Sequence, residues 1–172
     1  MDTCTGSVGA GKTSAIQALS EIPPVRTEAP MSVAHANVNK TTTTTALDYG
    51  ELGLENGRKL LLFGTPGQRR YDFMCRILMN GAVGVMILVD HSSPEALGDL
   101  HYFTELFQPI VDEMGAVVGV THADGCSDLV LQNYQDALTQ KGLMLPVLRV
   151  DARRREDVVL LVRVLLASLE YR

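Results

Sequence analysis

Short apolar runs alternate with amphipathic stretches along most of the chain. Three apolar runs predict strands, at 83–89, 116–120 and 146–150. Five stretches have apolar residues at helical spacing and predict helices, at 13–20, 71–79, 94–112, 128–141 and 156–170. The run at 83–89 is apolar throughout, as in strands that are buried on both faces of a sheet. Strands that alternate with helices in this way indicate a mostly parallel sheet with helices on both faces.

One hairpin interrupts this alternation. Segments 45–54 and 59–63 flank Asn56-Gly57, a dipeptide that suits a two-residue type I′ turn because both central residues need positive φ. The hairpin supplies one antiparallel edge strand. Residues 26–40, rich in Pro, Ala and Asn, show no regular period and predict a long loop. We therefore expect a three-layer α/β fold.

A glycine-rich motif lies just before the first predicted helix. The segment that matches the pattern G-x-x-x-x-G-K-[ST] is Gly6, Ser7, Val8, Gly9, Ala10, Gly11, Lys12 and Thr13. Its backbone N–H groups can surround a phosphate at a helix amino terminus. Lys12 would reach the β- and γ-phosphates, and the Thr13 hydroxyl would bind Mg²⁺. The strand that should lead into this loop, residues 1–5, is short and polar for a central strand.

Composition narrows the class of protein. The chain has 172 residues, enough for one domain over 1–172, and 46% of them are hydrophobic. The net charge of −5 gives no general attraction to nucleic acid. Three dispersed cysteines without a CxxC pair argue against a disulfide framework or a zinc site. The longest apolar run, 158–169, is interrupted by Arg163 and is too short to span a bilayer. We expect a cytoplasmic protein with no transmembrane segment.

With this phosphate loop and this order of elements, the chain resembles the Ras superfamily of small GTPases. The resemblance is closest to the bacterial and archaeal members related to the cell-polarity switch of gliding motility, and it runs from Gly6 to the last helix. It implies a single GTPase domain over 1–172 that binds GTP or GDP with Mg²⁺ and slowly hydrolyses GTP. In this family a threonine of the effector loop also binds Mg²⁺. Thr44 is at the matching place, and Thr43 is equally compatible by spacing.

The segment from Gly64 to Gln68 resembles the family's D-x-x-G-Q motif. Gly64 replaces the aspartate that normally holds Mg²⁺ through water, and the polarity-switch relatives also depart there. The resemblance implies that the N–H of Gly67 binds the γ-phosphate and that Gln68 orients the attacking water. With Lys12, these two residues are the predicted catalytic set.

Two further segments are predicted to surround the base. Thr121-His122-Ala123-Asp124 resembles the family's N-K-x-D, of which only the aspartate is retained. A carboxylate at Asp124 could accept hydrogen bonds from N1 and N2 of guanine, which adenine does not offer. Asp151-Ala152-Arg153 resembles the family's S-A-K, with the Ala152 N–H directed at O6. The predicted nucleotide-binding set comprises residues 6–13 named above, Ser14, Thr121, His122, Asp124, Asp151, Ala152 and Arg153.

Several other residues have weaker claims to a role. Asp90 follows an apolar run like a Walker-B aspartate, but in Ras-like topology its strand ends beside the nucleotide, so we interpret it as not binding metal. The candidates for an arginine supplied by the chain itself are Arg26, Arg69 and Arg70, and a partner could supply one instead. The histidines His35, His91 and His101 show no metal-binding spacing.

Partners and rival functions remain open on the sequence. The helix at 156–170 is apolar almost all round, which favours a dimer or partner surface in addition to core packing. The resemblance implies regulation by a small roadblock-like protein. One rival hypothesis is a nucleotide-binding scaffold with little turnover, because Gly64, Thr121 and His122 all depart from the family pattern. Another is an ATP-using P-loop phosphotransferase.

Overall fold

The computed structural model describes residues 2–23, 28–30, 42–44, 48–54 and 57–170, with only the backbone at 28–30, 42–44, 70 and 170. The strands are β1 (Asp2–Gly6), β2 (Glu28–Pro30), β3 (Thr42–Thr44), β4 (Asp48–Gly53), β5 (Lys59–Gly64), β6 (Gly84–Asp90), β7 (Ala116–Thr121) and β8 (Val147–Arg149). The helices are α1 (Lys12–Leu19), α2 (Asp72–Met79), α3 (Ala96–Leu106), α4 (Gln108–Glu113), α5 (Leu129–Gln140) and α6 (Arg155–Glu170), with a 3₁₀ turn at Arg69–Tyr71.

Six strands form one sheet in the order β4-β5-β1-β6-β7-β8. Only β4 with β5 is antiparallel, and the other pairs are parallel. Helices α1 and α6 cover one face, and the helices from α2 to α5 cover the other. The predicted three-layer α/β fold with one antiparallel edge strand is confirmed.

The strand β6 shows why its sequence is apolar throughout. Val85, Ile87 and Val89 pack towards α3 and α5, whereas Met86 and Leu88 pack towards α1 and α6. All seven residues of the strand are buried. A central parallel strand has no solvent face, so the period-2 alternation of polar residues disappears.

The short polar strand β1 lies at the centre of the sheet, between β5 and β6. All five of its residues are buried, including Asp2, Thr3 and Thr5. The hydroxyl of Thr65 donates to that of Thr5 at 2.9 Å, which satisfies part of this buried polarity. Backbone pairing on both edges therefore holds a central strand that is short and carries polar side chains.

The hairpin differs from its prediction in loop length. Gly53 pairs with Lys59, and the Leu54 N–H donates to the Arg58 carbonyl at 2.8 Å, so three residues rather than two close the loop. Gly57 has φ +74° and its N–H donates to the Leu54 carbonyl, as in a three-residue loop that ends on a left-handed glycine. The type I′ prediction was wrong, and Asn56 lies outside the described residues.

Other elements also depart from the sequence prediction. The helix predicted over 94–112 is two helices, α3 and α4, which meet at Phe107, with Pro109 in the first turn of the second. The loop predicted over 26–40 contains β2, which pairs with β3 in a separate two-stranded sheet. The remaining helices and strands begin or end within three residues of their predicted bounds. Among the described helices, none is both long and apolar enough to cross a bilayer.

The helix α6 buries most of its apolar surface inside the protein. Val158, Leu161, Val162 and Leu165 are buried, and Val159, Val164 and Leu166 are partly buried against the same core. Of its large apolar residues, Leu160 is exposed. Packing against α1 as well as the sheet accounts for the broad apolar stripe, so the pattern needs no partner to explain it. A homodimer remains a prediction.

Candidate functional site

The loop from Gly6 to Gly11 connects the carboxyl end of β1 to the amino terminus of α1, which begins at Lys12. Gly6 has φ +144°, and a Cβ there would lie 2.1 Å from the Leu88 carbonyl oxygen. Gly11 has φ +93°, and a Cβ there would lie 2.7 Å from the Cβ of Ala152. Only glycine fits such positions. The loop therefore presents its backbone N–H groups at a helix amino terminus, the geometry that binds phosphate.

Two side chains of the loop point to an anion site. Lys12 is 7% exposed, and its ammonium donates to the carbonyls of Gly6 at 2.8 Å and Ser7 at 2.6 Å. The Ser7 hydroxyl is buried without a hydrogen-bond partner among the described residues. A buried hydroxyl without a hydrogen bond destabilises the folded state unless a ligand or a water supplies the missing bond. The loop thus holds one cation and one available donor beside its N–H groups.

A threonine and an aspartate meet where a metal would be expected. The Thr13 hydroxyl donates to Oδ2 of Asp48 at 2.6 Å, and Asp48 is 2% exposed. Asp48 begins β4 and pairs with Gly64, the residue at which the resemblance expects an aspartate. A Cβ at Gly64 would lie 2.7 Å from Cδ1 of Ile16 and 3.1 Å from Cβ of Asp48, so the side chains of Ile16 and Asp48 already occupy that space.

These oxygen donors fit a hard divalent cation such as Mg²⁺. In the described part of the chain, no three His, Cys, Asp or Glu side chains cluster closely enough to hold a metal alone. A site here would thus depend on Thr13, Asp48 and phosphate oxygens together, as in sites where Mg²⁺ is bound with its nucleotide. The side chain of Thr44, the predicted second metal ligand, and that of Thr43 lie outside the described residues.

Gly67 lies directly against the phosphate loop. A Cβ there would lie 2.6 Å from the Val8 nitrogen and 2.8 Å from Nζ of Lys12. The Thr65 N–H donates to the Cys4 carbonyl at 2.9 Å, which ties this segment to β1. Gln68 follows and leads into the 3₁₀ turn. The segment predicted to sense the γ-phosphate is therefore in contact with the loop predicted to bind it.

The two loops predicted to surround the base lie at the other side of the phosphate loop. Thr121 ends β7, and its hydroxyl lies 3.2 Å from the Ala10 carbonyl. Ala152 is in contact range of Gly11, as given above. Asp124 is exposed beyond Thr121. The structure thus brings the phosphate loop and both base loops together at one edge of the sheet.

Asp151 and Arg153 form an ion pair within their own loop. Nε and Nη2 of Arg153 donate to the two carboxylate oxygens of Asp151 at 2.8 and 2.7 Å. These hydrogen bonds, with one from the Arg153 N–H, hold the pKa of Asp151 down at about 2. The Asp151 N–H donates to Asp157 at the start of α6. The loop around Ala152 is therefore rigidly tied to the helix that follows it.

Comparison with known proteins agrees with this geometry. Residues 4–167 match a family described as a conserved hypothetical ATP binding protein. The chain belongs to this ATP-binding family. Over 49 residues it is also 41% identical to an uncharacterized protein of Methanocaldococcus jannaschii, a match that covers 28% of this chain and 31% of that protein. The match thus spans about a third of that relative's length. Membership of the ATP-binding family and the phosphate loop together support nucleotide binding.

Of the predicted arginines, only Arg69 has a described side chain in this member of the ATP-binding family. Its guanidinium carbon lies 4.2 Å from the ring centroid of Tyr102 on α3. The Tyr102 hydroxyl donates to Asp72, the first residue of α2. The guanidinium of Arg69, the residue after Gln68, is therefore held against a side chain of α3. Arg26 and the side chain of Arg70 lie outside the described residues, as does His35.

Two residues of this site were not assigned a role from the sequence. The first is Asp48. The hairpin could have indicated it, because a three-residue loop sets a register in which Asp48 lies opposite Gly64. Asp90 is the other, because its carboxylate lies 3.0 Å from Nδ1 of His122 in the predicted base loop. A different histidine, His91, has its Nδ1 2.8 Å from the hydroxyl of Tyr134.

Proposed function

We propose that this chain is a guanine-nucleotide switch, which binds GTP and GDP with Mg²⁺ and slowly hydrolyses GTP. The observation that carries the proposal is the position of Gly11, whose Cβ would meet both Ala152 at 2.7 Å and Thr121 at 3.8 Å. A nucleotide whose phosphates occupy the loop would therefore have its base beside Asp124. A carboxylate at that place favours guanine because it accepts from N1 and N2.

The contact of Gly67 with the phosphate loop supports a switch rather than a static binding site. A γ-phosphate that enters beside Lys12 would meet the Gly67 segment, because a Cβ at Gly67 would be only 2.8 Å from the lysine ammonium. GTP and GDP would consequently place this segment differently. A loop that the γ-phosphate orders and that is released after hydrolysis gives the protein two distinguishable states, which is how such loops carry a signal.

Hydrolysis would proceed by attack of a water oxygen on the γ-phosphorus. The bond to the β–γ bridging oxygen breaks, GDP leaves, and the proton of the water ends on the released phosphate. Gln68 would orient the water, while Lys12 and the N–H of Gly67 would stabilise charge on the γ-phosphate. Thr13 and Asp48 would hold Mg²⁺, which would supply positive charge to stabilise the phosphates. Thr44 remains a further candidate ligand.

ATP binding is the second candidate, and the description of the family favours it. A scaffold that binds nucleotide without turnover is the third, because Gly64, Thr121 and His122 differ from the GTPase pattern. Regulation by a roadblock-like partner rests on the resemblance to the polarity-switch relatives. An activating partner of this kind could supply the arginine that the described residues do not direct at the phosphates.

The test is competition of GTP, GDP and ATP for a fluorescent guanine nucleotide on the purified chain, with Mg²⁺ and again with EDTA. We expect GTP and GDP to compete more strongly than ATP, and we expect EDTA to weaken their binding. If ATP competed equally well, the second candidate function, ATP binding, would be supported instead. If guanine nucleotides bind but single-turnover hydrolysis does not exceed the buffer background, the third candidate, a scaffold without turnover, would be supported.

A further inference from the structure

Three polar groups lie within 3.0 Å of one carboxylate oxygen of Asp90, the last residue of β6. Nδ1 of His122 lies 3.0 Å from Oδ1. The N–H and hydroxyl of Ser92 donate to the same oxygen at 2.9 and 2.6 Å. The Asp90 side chain is only 9% exposed.

His122 adopts a backbone conformation that needs support. Its φ is +54°, and among the described residues it is the only one other than glycine with positive φ. For a residue with a Cβ, the left-handed region costs about 1 kcal/mol or more. Such a conformation persists only where the surroundings hold it. The contact with the Asp90 carboxylate can support it from the adjoining strand, and the Thr121 hydroxyl lies 3.4 Å from the same Nδ1.

The residues on either side of His122 are anchored separately. The His91 N–H donates to the Thr121 carbonyl at 2.9 Å, and the Thr121 hydroxyl lies 3.2 Å from the Val89 carbonyl. Ala123 is 1% exposed in the core. The turn between these anchors is set by His122, and Asp124 emerges directly after it. A change at His122 would therefore displace the carboxylate proposed to recognise the base.

We propose that Asp90 and His122 are positioning residues for base selection. Asp90 holds His122 left-handed, and His122 in turn directs the Asp124 carboxylate at the base. The inference rests on the proposed function, because it concerns the site that would bind guanine. Since Asp90 and His122 lie outside the phosphate loop, losing the Asp90–His122 contact should lower selectivity for guanine and spare the affinity shared by all nucleotides.

The test compares dissociation constants of GDP, IDP and ADP for wild type, Asp90→Ala and His122→Gly. IDP lacks the 2-amino group of guanine, so it isolates one of the two bonds to Asp124. Losing a well-aligned hydrogen bond to a charged group amounts to about tenfold in affinity. We expect the ratio of ADP to GDP dissociation constants to fall by about this factor in Asp90→Ala. It should fall less in His122→Gly, because glycine accepts the left-handed φ without strain. The ADP constant itself should change little.

Two further variants separate positioning from general damage. Ser92→Ala removes a donor to the same Asp90 oxygen without touching the base loop, and should keep the wild-type ratio. Asp90→Asn keeps an acceptor of the same shape and should fall between wild type and Asp90→Ala. It also serves as the test variant if the alanine protein does not fold.

The possible outcomes distinguish this inference from the proposed function. If wild type shows no preference for GDP over ADP, the proposed function fails and this inference fails with it. If wild type prefers GDP and folded Asp90 and His122 variants keep the full preference, only the positioning role is overturned. A His122→Gly protein that loses selectivity would show that the imidazole contact matters, because glycine accepts the same φ without strain.

Discussion

The hydroxyl of Thr13, in the first turn of α1, donates to the carboxylate of Asp48, the first residue of β4, at 2.6 Å. The two residues are 35 positions apart in sequence, and the hairpin β4–β5 brings them together. Asp48 is 2% exposed, and a buried carboxylate needs a donor or a cation close to it. The pair offers the hard oxygen ligands that Mg²⁺ prefers, beside a loop shaped for phosphate.

Asp48→Asn is expected to weaken Mg²⁺-dependent nucleotide binding. The amide keeps the size of the side chain and removes its charge. Loss of a group that supports a bound metal typically lowers metal affinity by roughly ten- to a hundredfold. Titrating Mg²⁺ into the protein with a fluorescent guanine nucleotide measures the effect. Nucleotide affinity in EDTA should be close to that of wild type.

Glu51→Gln is the matched control, because Glu51 lies on the same strand and is bonded to Tyr49 and Lys59 instead. It should leave the Mg²⁺ titration unchanged. Equal Mg²⁺ dependence in Asp48→Asn and wild type would remove Asp48 from the metal site and leave Thr13, with Thr44 or Thr43, as the candidate ligands.

Gly67→Ala is expected to impair recognition of the γ-phosphate. The added methyl would lie 2.6 Å from the Val8 nitrogen, so the segment must move away from the phosphate loop. Loss of the proposed N–H bond to a phosphate should lower GTP affinity by about tenfold and change GDP affinity little. Gly98→Ala is the control, since its Cβ would meet only Glu95 at 3.4 Å. Equal losses for GTP and GDP would contradict the role of Gly67.

The elements that could be predicted are those whose pattern is local. The continuous apolar sequences of β6 and β7 predict strands that are buried on both faces of the sheet. The phosphate loop is recognisable because only glycine allows the backbone conformation at its key positions. Asp124 could be proposed because its segment follows a buried strand and resembles the N-K-x-D motif of the small GTPases. These features depend on neighbours along the chain or on the sheet edge that all parallel strands share.

The features that were missed depend on contacts between distant segments. Asp48 can stand for the aspartate absent at Gly64 only because an antiparallel register places the two opposite each other, and the loop length that sets the register was misjudged. The contact of Asp90 with His122 requires β6 and β7 to pair in parallel with Asp90 beside Thr121. No periodicity along the chain encodes either pairing.

Gln68→Ala should hydrolyse GTP more slowly while still binding it. Gln68 begins the turn after Gly67, where its amide could both donate to and accept from a water beside the γ-phosphate. Removing a group that positions the reactant typically costs about a hundredfold in the chemical step. Single-turnover hydrolysis measures this, with nucleotide affinity as the companion measurement. Gln132→Ala, exposed on α5, is the control. Unchanged turnover would exclude Gln68 from the mechanism.

Asp2 is a buried acid at the centre of the sheet. It is 0% exposed, and neither carboxylate oxygen has a hydrogen-bond partner among the described residues. Burial raises its pKa from 3.8 to about 6. The folded state therefore binds the proton more tightly than the unfolded state does. Above pH 6 the folded protein holds an ionised carboxylate in the core, which destabilises it.

The free energy of unfolding should consequently rise as pH falls from about 7 to about 4, because the folded state takes up the proton first. At about 1.4 kcal/mol per pKa unit, the Asp2 contribution is roughly 3 kcal/mol. Asp2→Asn, which cannot ionise, should be more stable than wild type at pH 7.5 by an amount of this order, and the gap should close by pH 4. Urea unfolding of both proteins at several pH values measures the gap, and other titrating groups cancel in the comparison. A gap that stays constant with pH would mean that Asp2 is not ionised in the folded protein at neutral pH, or that its charge is compensated there.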